Sequence, residues 1–237
     1  AIRATDPDDL ARQNSEKLLT ALRRSHERLK GSVAGTTRIV GTPPQGPGDP
    51  LVLDIISPDM PFIVDSTLAA VRAMGGIVRL FAHPVVRTAA DGAAASVLHI
   101  HSDPVADVDA LVDEIEATLT DVNRAVADWQ PMLEHVRRAA EALEQVKSPH
   151  RDEALRFIEW LIDHNFTFLG VREYRLEGNA LTPMPETGLG ILRDPNLKVL
   201  RSGPDYVEST PQLAAFFAGN EPLLVSKANV RARVHRR

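Results

Sequence analysis

Leu51-Val-Leu-Asp-Ile-Ile-Ser57, followed by Pro58-Asp-Met-Pro-Phe-Ile-Val-Asp65 and a helical run to Met74, decides how this chain is read. Gly75-Gly76 closes that run, and then come Ile77-Val-Arg-Leu-Phe-Ala-His-Pro-Val-Val-Arg87 and Ala93-Ala-Ala-Ser-Val-Leu-His-Ile-His101. The last two runs flank a turn of Ala, Asp and Gly, which predicts a hairpin. The unbroken apolar run from Leu51 predicts a buried strand, with Asp54 on its less buried side. Pro58 and Pro61 bracket a turn in which Asp59 is placed to cap a helix starting near Pro61. Val64, Leu68, Val71 and Met74 recur on one helical face, and Gly75-Gly76 supplies a left-handed stop. The segment therefore reads as β-α-β-β. One more helix and strand would complete the βαββαβ sandwich of the ferredoxin-like class.

Both are expected downstream. Asp103-Pro104 predicts a helix start, with Val105, Val108, Leu111, Val112, Ile115 and Leu119 as its buried stripe. Thr120 to Ala127 is read as the fourth strand, because Asp128-Trp-Gln-Pro131 resembles a new helix start and proline is tolerated only in a first turn. On one hairpin face fall Val78, Leu80, Ala82, Val86, Leu98 and Ile100. On the other fall Phe81, His83, Val85, His99 and His101, a mixed set that predicts cover by something outside the sandwich.

Upstream, Asp6-Pro7 predicts a helix to about Lys30 with a thin apolar side of Leu10, Leu18, Leu22 and Leu29, interrupted by Asn14 and Ser25. So narrow a stripe predicts docking on a neighbour. Gly41 to Pro50 is a loop by composition, and Arg38-Ile-Val40 is a candidate extra strand. Downstream, a helix from Asp128 to about Lys147 carries Trp129, Leu133, Val136, Ala140 and Leu143. A boundary comes at Ser148-Pro149, then a helix to Asp163 driven by Leu155, Ile158, Leu161 and Ile162. Phe166 to Leu176, a Gly178-Asn179 turn and Ala180 to Pro183 make a further hairpin. A short helix at Pro211 to Phe217 and a strand from Leu223 toward Val234 are expected last. The division is thus 1–50 for the helix and loop, 51–127 for the sandwich, 128–147 for a connecting helix and 148–237 for a second α/β domain. The chain begins without Met and stops on Arg236-Arg237, so it is expected to be cut from a longer protein, with the second domain incomplete.

At 237 residues, 43% hydrophobic and 25% charged, the chain has room for two cores of ordinary composition. A net charge of −5 gives no electrostatic footprint for nucleic acid. With no cysteine, disulfides, thiolate zinc sites and cysteine nucleophiles are excluded, and a cytoplasmic location fits. The apolar runs are strand-sized, so no membrane span is expected.

Several patterns suggest chemistry and each has a plainer reading. His83, His99 and His101 on one face would suit zinc, but no carboxylate is placed to complete the set, so ordinary surface or interface histidines are expected and no metal. Asp107, Asp109, Asp113, Glu114 and Glu116 lie off a buried stripe and read as a solvated face. Thr187-Gly-Leu-Gly190 lacks the third glycine and succeeding helix of a dinucleotide loop and reads as a tight turn. Arg231, Arg233, Arg236 and Arg237 read as an exposed basic end. An RNA-binding sheet needs stacking aromatics, and here only Phe81 qualifies. The strand-to-helix turn is the best ligand candidate, since backbone N–H groups at a helix start can hold a carboxylate.

The motifs Asp59-Met-Pro-Phe-Ile-Val-Asp-Ser66, His83-Pro84, Asp128-Trp129, Phe166-Thr-Phe-Leu-Gly170, Thr187-Gly-Leu-Gly-Ile-Leu-Arg193 and Ser226-Lys-Ala-Asn-Val-Arg231 together resemble the N-terminal ACT-type region of the large bacterial NAD-specific glutamate dehydrogenases. The resemblance runs from about Asp9 to Arg237. It implies an ACT-type sandwich followed by a PAS-like α/β domain, in a cytoplasmic homo-oligomer (a tetramer among the options) that converts glutamate to 2-oxoglutarate and ammonia. NAD is the cofactor of such an enzyme, bound far downstream, so this piece is expected to hold no catalytic residue and no cofactor. An amino-acid effector is implied at the first strand-helix turn, carried by Asp59, Met60, Pro61, Phe62, Ile63, Val64 and Asp65. The family turn is Asp-x-Pro-Gly, and here Phe62 stands in place of the glycine. Phe81, His83, Val85, His99 and His101 are expected at a subunit interface. A stand-alone amino-acid-binding module and a pure scaffold are the alternatives.

Overall fold

The computed structural model describes residues 15–30, 35–87, 94–177, 180–199, 216, 222–228 and 230–234. These fall into two compact units, one of residues 1–122 with 233–237, the other of 123–232.

The first unit contains α1 (Ser15–Lys30), β1 (Arg38–Thr42), β2 (Leu51–Pro58), α2 (Ile63–Ala73), β3 (Val78–Ala82), β4 (Val85–Arg87), β5 (Ala94–Ser102) and most of α3 (Val108–Ala127). Its antiparallel sheet has the order β1-β2-β5-β3, and β4 also pairs with β5. The β-α-β-β reading is correct. The fourth strand is not where the sequence pattern puts it.

Thr120 to Ala127 continue α3 as helix, and the edge beside β2 is taken by β1, the run that reads only as a candidate extra strand. The physical reason lies in the spacing. Leu111, Ile115, Leu119, Val122 and Ala125 recur at four, four, three and three, and all are buried. Pro131 sits in the first turn of the next helix, α4 (Trp129–Glu144), where its missing N–H costs nothing. Such a start comes after a helix through one break residue, Asp128, as readily as after a strand. The sheet thus keeps the ferredoxin-like neighbour order, with its edge strand supplied from the N-terminal side. Gly41 makes this fit, because a Cβ there would lie 2.6 Å from Val108 Cγ1 on α3.

One sheet face, with Leu51, Leu53, Ile55, Leu98 and Ile100, packs against Ile63, Ala70 and Val71 of α2 and Leu111, Ile115 and Leu119 of α3. Each fully buried Leu or Ile contributes about 1.5–3 kcal/mol. The buried side of α2 centres on Ile63, Thr67, Ala70 and Val71, so Met74 is exposed rather than part of the face. Gly75 (φ 85°) ends the helix as expected, its N–H donating to Arg72 O and that of Gly76 to Val71 O.

A bulge inverts the assignment of faces in β3. Val78 lies opposite Ser102, but Leu80 lies opposite His101 and Ala82 opposite His99. One extra residue flips every later side chain. Phe81 therefore joins Ile100 on the helix-covered core, while Leu80 and Ala82 share the face of His99 and His101.

In the second unit, α4 packs on α5 (Arg151–Trp160) through Leu143, Ala154 and Ile158, and a π-helical turn (Leu161–Asn165) extends α5. Two short ladders come next: β6 (Gly170–Val171) with β9 (Leu189–Gly190), and β7 (Tyr174–Glu177) with β8 (Ala180–Pro183). The expected hairpin is thus β7–β8, and its Gly178-Asn179 turn lies outside the described residues. So does most of the helix expected at Pro211 to Phe217. No strand ladder forms among the described residues from Leu223 to Val234, where Val225 is largely exposed instead of lying on a sheet face.

Three motifs singled out in the sequence meet in one lock. The Asp128 carboxylate accepts the Gly190 N–H at 2.7 Å and both Nε (2.5 Å) and Nη2 (2.7 Å) of Arg193. Ile191 N–H donates to Leu169 O at 2.8 Å. Gly190 has φ 61° and ψ −137°, and a Cβ there would sit 2.2 Å from Leu169 O. Thr187 ends a 3-10 turn and Leu189–Gly190 pair as β9, so 187–190 is not the expected tight turn, and at Gly190 glycine is required by both conformation and space.

Two substitutions test this architecture. Asn123 is exposed in mid-α3, so Asn123→Pro should cost about 3 kcal/mol or more in a denaturant titration, the loss a helix interior predicts. An unchanged midpoint would contradict the continuous helix. Gly190→Ala should unfold the second unit at lower denaturant than the first, seen as separation of a single transition into two.

Candidate functional site

Asp54 lies in mid-β2 on the sheet face away from α2 and α3, and is buried rather than at the less covered side. Its neighbours explain how a carboxylate survives there. Ser25 Oγ donates to Asp54 Oδ1 and Arg28 Nη1 to Oδ2. His99 Nδ1 lies 2.7 Å from Oδ1, and Arg28 Nη2 also donates to Thr42 Oγ1 of β1 at 3.1 Å. The helix α1 thereby docks on the sheet, with Leu18 buried beside the polar contacts. Ser25 reads in sequence as an interruption of the apolar stripe, yet it is one of the anchors. The cover expected over the mixed face is the chain's own helix.

Proton positions are set by the partners. A carboxylate only accepts, so His99 Nδ1 carries the hydrogen that points to Asp54. The Ser25 hydroxyl proton is also spent on Asp54, so Ser25 Oγ, 3.0 Å from the same Nδ1, accepts. His99 Nε2 and His101 Nε2 are 2.9 Å apart and share one proton between them. His101 Nδ1 is buried and has no hydrogen-bond partner among the described residues. Serine, histidine and aspartate do meet here, but a hydrolytic triad needs the serine and the carboxylate on opposite nitrogens of the imidazole. Both use Nδ1, and all three side chains are buried. The cluster is a structural staple.

Burial pushes the Asp54 pKa up, but hydrogen bonds from His99 and Ser25 and the attraction of His99 and Arg28 outweigh it, leaving the carboxyl below its ordinary value. Burial, then the neighbouring His99, brings the His101 imidazole down to about 4 against a smaller upward pull from Asp54.

A second network holds the strand-helix corner. Ser96 Oγ donates to Asp59 Oδ1 at 2.6 Å and accepts from His83 Nε2 at 2.8 Å. Asp59 N–H donates to Ala94 O. Asp59 is therefore tied to the hairpin and does not cap α2, which begins at Ile63 behind Phe62. Phe62 has φ 67° and ψ −4°, the one non-glycine at positive φ among the described residues. A side chain in that left-handed region costs about 1–2 kcal/mol, which is why glycine is the usual occupant. Strain of this kind collects at ligand-contact positions. Met60 and Val64 pack on the core, Ile63 is buried in it, and Pro61 and Asp65 are exposed.

The five residues expected at an interface do not share one surface. His99 and His101 are buried under α1, Phe81 lies on the core face, His83 is held by Ser96, and Val85 is half exposed. Among the described residues no cluster of His, Asp or Glu is arranged to hold a metal ion. Asp109, Asp113 and Glu116 lie exposed, as expected of a solvated face. Glu114 instead pairs with Arg233 at 3.3 Å, and Asp121 with the same guanidinium at 3.5 Å, so Arg233 is not a free basic end. No described helix is long and apolar enough to cross a membrane.

The corner, the sheet and the buried staple all lie within one matched segment. Residues 1–113 match the model described as the glutamate dehydrogenase ACT1 domain. The chain is similar to the NAD-specific glutamate dehydrogenase of Halomonas elongata, 30% identical over 223 residues and covering 77% of this chain. That of Pseudomonas aeruginosa is 28% identical over 216 residues, covering 78% of the chain. The chain spans about 13% of the length of each of these relatives.

The histidine pair makes the first unit sensitive to acid in a defined window. An unfolded imidazole titrates near 6.5 and the folded His101 at about 4, so the unfolded state takes up the proton first as pH falls. Stability is full above about 6.5 and declines toward about 4, by at most on the order of 3 kcal/mol. Asp54, with its lowered pKa, adds a further loss only below about 3.9. Urea midpoints measured from neutral pH downward should show both legs, and His101→Gln should remove the upper one alone. A flat profile between those two limits would contradict the assignment.

Proposed function

We propose that this chain is the N-terminal regulatory and assembly segment of a large cytoplasmic NAD-dependent glutamate dehydrogenase, with hydride transfer from glutamate to NAD carried by residues outside it. The observation that carries the reading is the ACT1 match over residues 1–113 in a chain similar to about 13% of two NAD-specific glutamate dehydrogenases. The whole enzyme would release 2-oxoglutarate and ammonia and use NAD as its cofactor, while the segment binds none.

Within the segment, the corner from Asp59 to Asp65 is the proposed effector contact for an amino acid. Phe62 presents a side chain where the family glycine leaves backbone open, so a ligand there would meet an aromatic edge. The second unit is proposed to be a PAS-like α/β module, on the strength of its helix followed by the β7–β8 hairpin. Val85, half exposed at the hairpin edge, is the remaining candidate for contact between copies in a homo-oligomer.

The purified 237-residue chain should give no glutamate-dependent reduction of NAD, monitored as NADH absorbance. Measurable turnover would overturn the regulatory reading. A thermal-shift panel of the twenty amino acids tests the corner: a stabilisation abolished by Phe62→Asp supports it. Sedimentation over a concentration series should show self-association.

A further inference from the structure

The basic end of the chain meets α3 on the side away from the core. Arg233 Nε lies 3.3 Å from Glu114 Oε2 and Arg233 Nη1 lies 3.5 Å from Asp121 Oδ2, and Val234 next to it is buried. We propose that residues 231–234 are an ionic strap, which closes on one row of α3 through charge and lets go when that charge is screened.

The row is defined by spacing. Ala110, Glu114, Ala117 and Asp121 follow one another at four, three and four, which aligns them along one side of the helix. All four are half-buried, whereas Asp109, Asp113, Glu116 and Thr120, on the neighbouring row, are exposed. Two small side chains alternate with two carboxylates, so a chain can cross closely and a basic one is favoured. The chain's own end fits by charge. Arg231, Arg233, Arg236 and Arg237 give residues 231–237 four guanidinium groups and no acidic side chain.

The same contacts explain release. Both distances exceed the roughly 2.7–2.9 Å of a tight charge-assisted hydrogen bond, and the Arg233 side chain is 41% exposed, so salt reaches the pair. No strand ladder holds the described residues from Leu223 to Val234. Within 230–234 only Val234 is buried, so one guanidinium and one apolar side chain bear most of the attachment. On its other side α3 sends Leu111, Ile115 and Leu119 into the core, and one helix thus carries both the core and the strap. In the longer enzyme of the proposed function the strap would fix where the onward chain leaves the first unit. That consequence rests on the functional reading, and the strap itself does not.

Spin labelling tests this without any activity assay. The chain has no cysteine, so Arg231→Cys puts a single label on an exposed position of the strap. The label should be mostly immobile at about 0.01 M salt, and its mobile fraction should rise about fivefold or more at about 1 M, where the screening length drops from about 30 to about 3 Å. With Arg233→Gln added, the label should be mobile at both salt levels. Glu114→Gln with Asp121→Asn should do the same, and adding Arg233→Gln to that pair should change nothing more. Each variant should keep the cooperative melt of the parent, since none of these side chains lies in the core; the salt series on the singly labelled chain decides the matter even where a variant melts early. A label equally mobile at both salt levels, or equally immobile, would overturn the proposal, as would an Arg233→Gln spectrum that matches the parent's. Immobilisation that grows with protein concentration would assign the row to a second copy and overturn it too.

Discussion

The first unit depends on a single buried carboxylate. Asp54 sits in the second strand of an otherwise apolar run, and an isolated charge there would cost several kcal/mol. It is tolerated because a guanidinium, a hydroxyl and an imidazole surround it, two of them from α1. The staple therefore runs both ways. The sheet gives α1 a place to dock, and α1 supplies what lets the sheet hold a charge. Removing either partner strands the other, so helix and sheet behave as one cooperative piece.

Polarity on that face also gives specificity. Apolar side chains alone would allow α1 to slide or rotate over the sheet, since apolar burial is non-directional. Hydrogen bonds from Ser25 and Arg28 to opposite oxygens of one carboxylate set both register and rotation. The core on the other face, between the sheet and α2 and α3, is packed instead by volume. The two faces divide the work: one supplies most of the burial, and the other sets geometry.

Legibility in the sequence divides along the same line. Volume-driven elements leave strong periodic marks, and the β-α-β-β segment is readable from them, including the Gly75-Gly76 stop. The octet Thr120 to Ala127 misleads because Val122, Ala125 and Val126 fit a strand nearly as well as a helix, and only the longer run back to Leu111 decides. The β3 bulge leaves no compositional trace, so strict alternation puts Phe81 and Leu80 on the wrong faces. Asp54 is visible as a lone charge in an apolar strand, and Ser25 as a polar gap in an apolar stripe. Only the fold shows that the two irregularities complete one another. The same holds for Asp128, Gly190 and Arg193, recognisable as separate motifs but readable as one lock only in three dimensions.

The edge strand β1 arrives from the N-terminal side, joined to β2 by loop 43–50 alone. Pairing across so short a connection forfeits little chain entropy compared with closing a sheet through an entire intervening domain. During synthesis β2 can therefore meet its first neighbour while α2, the hairpin and α3 are still within the ribosome. The most apolar strand of the domain thus has its first edge partner already synthesised before any later strand exists, although the pair becomes stable only once α2 and β5 cover it.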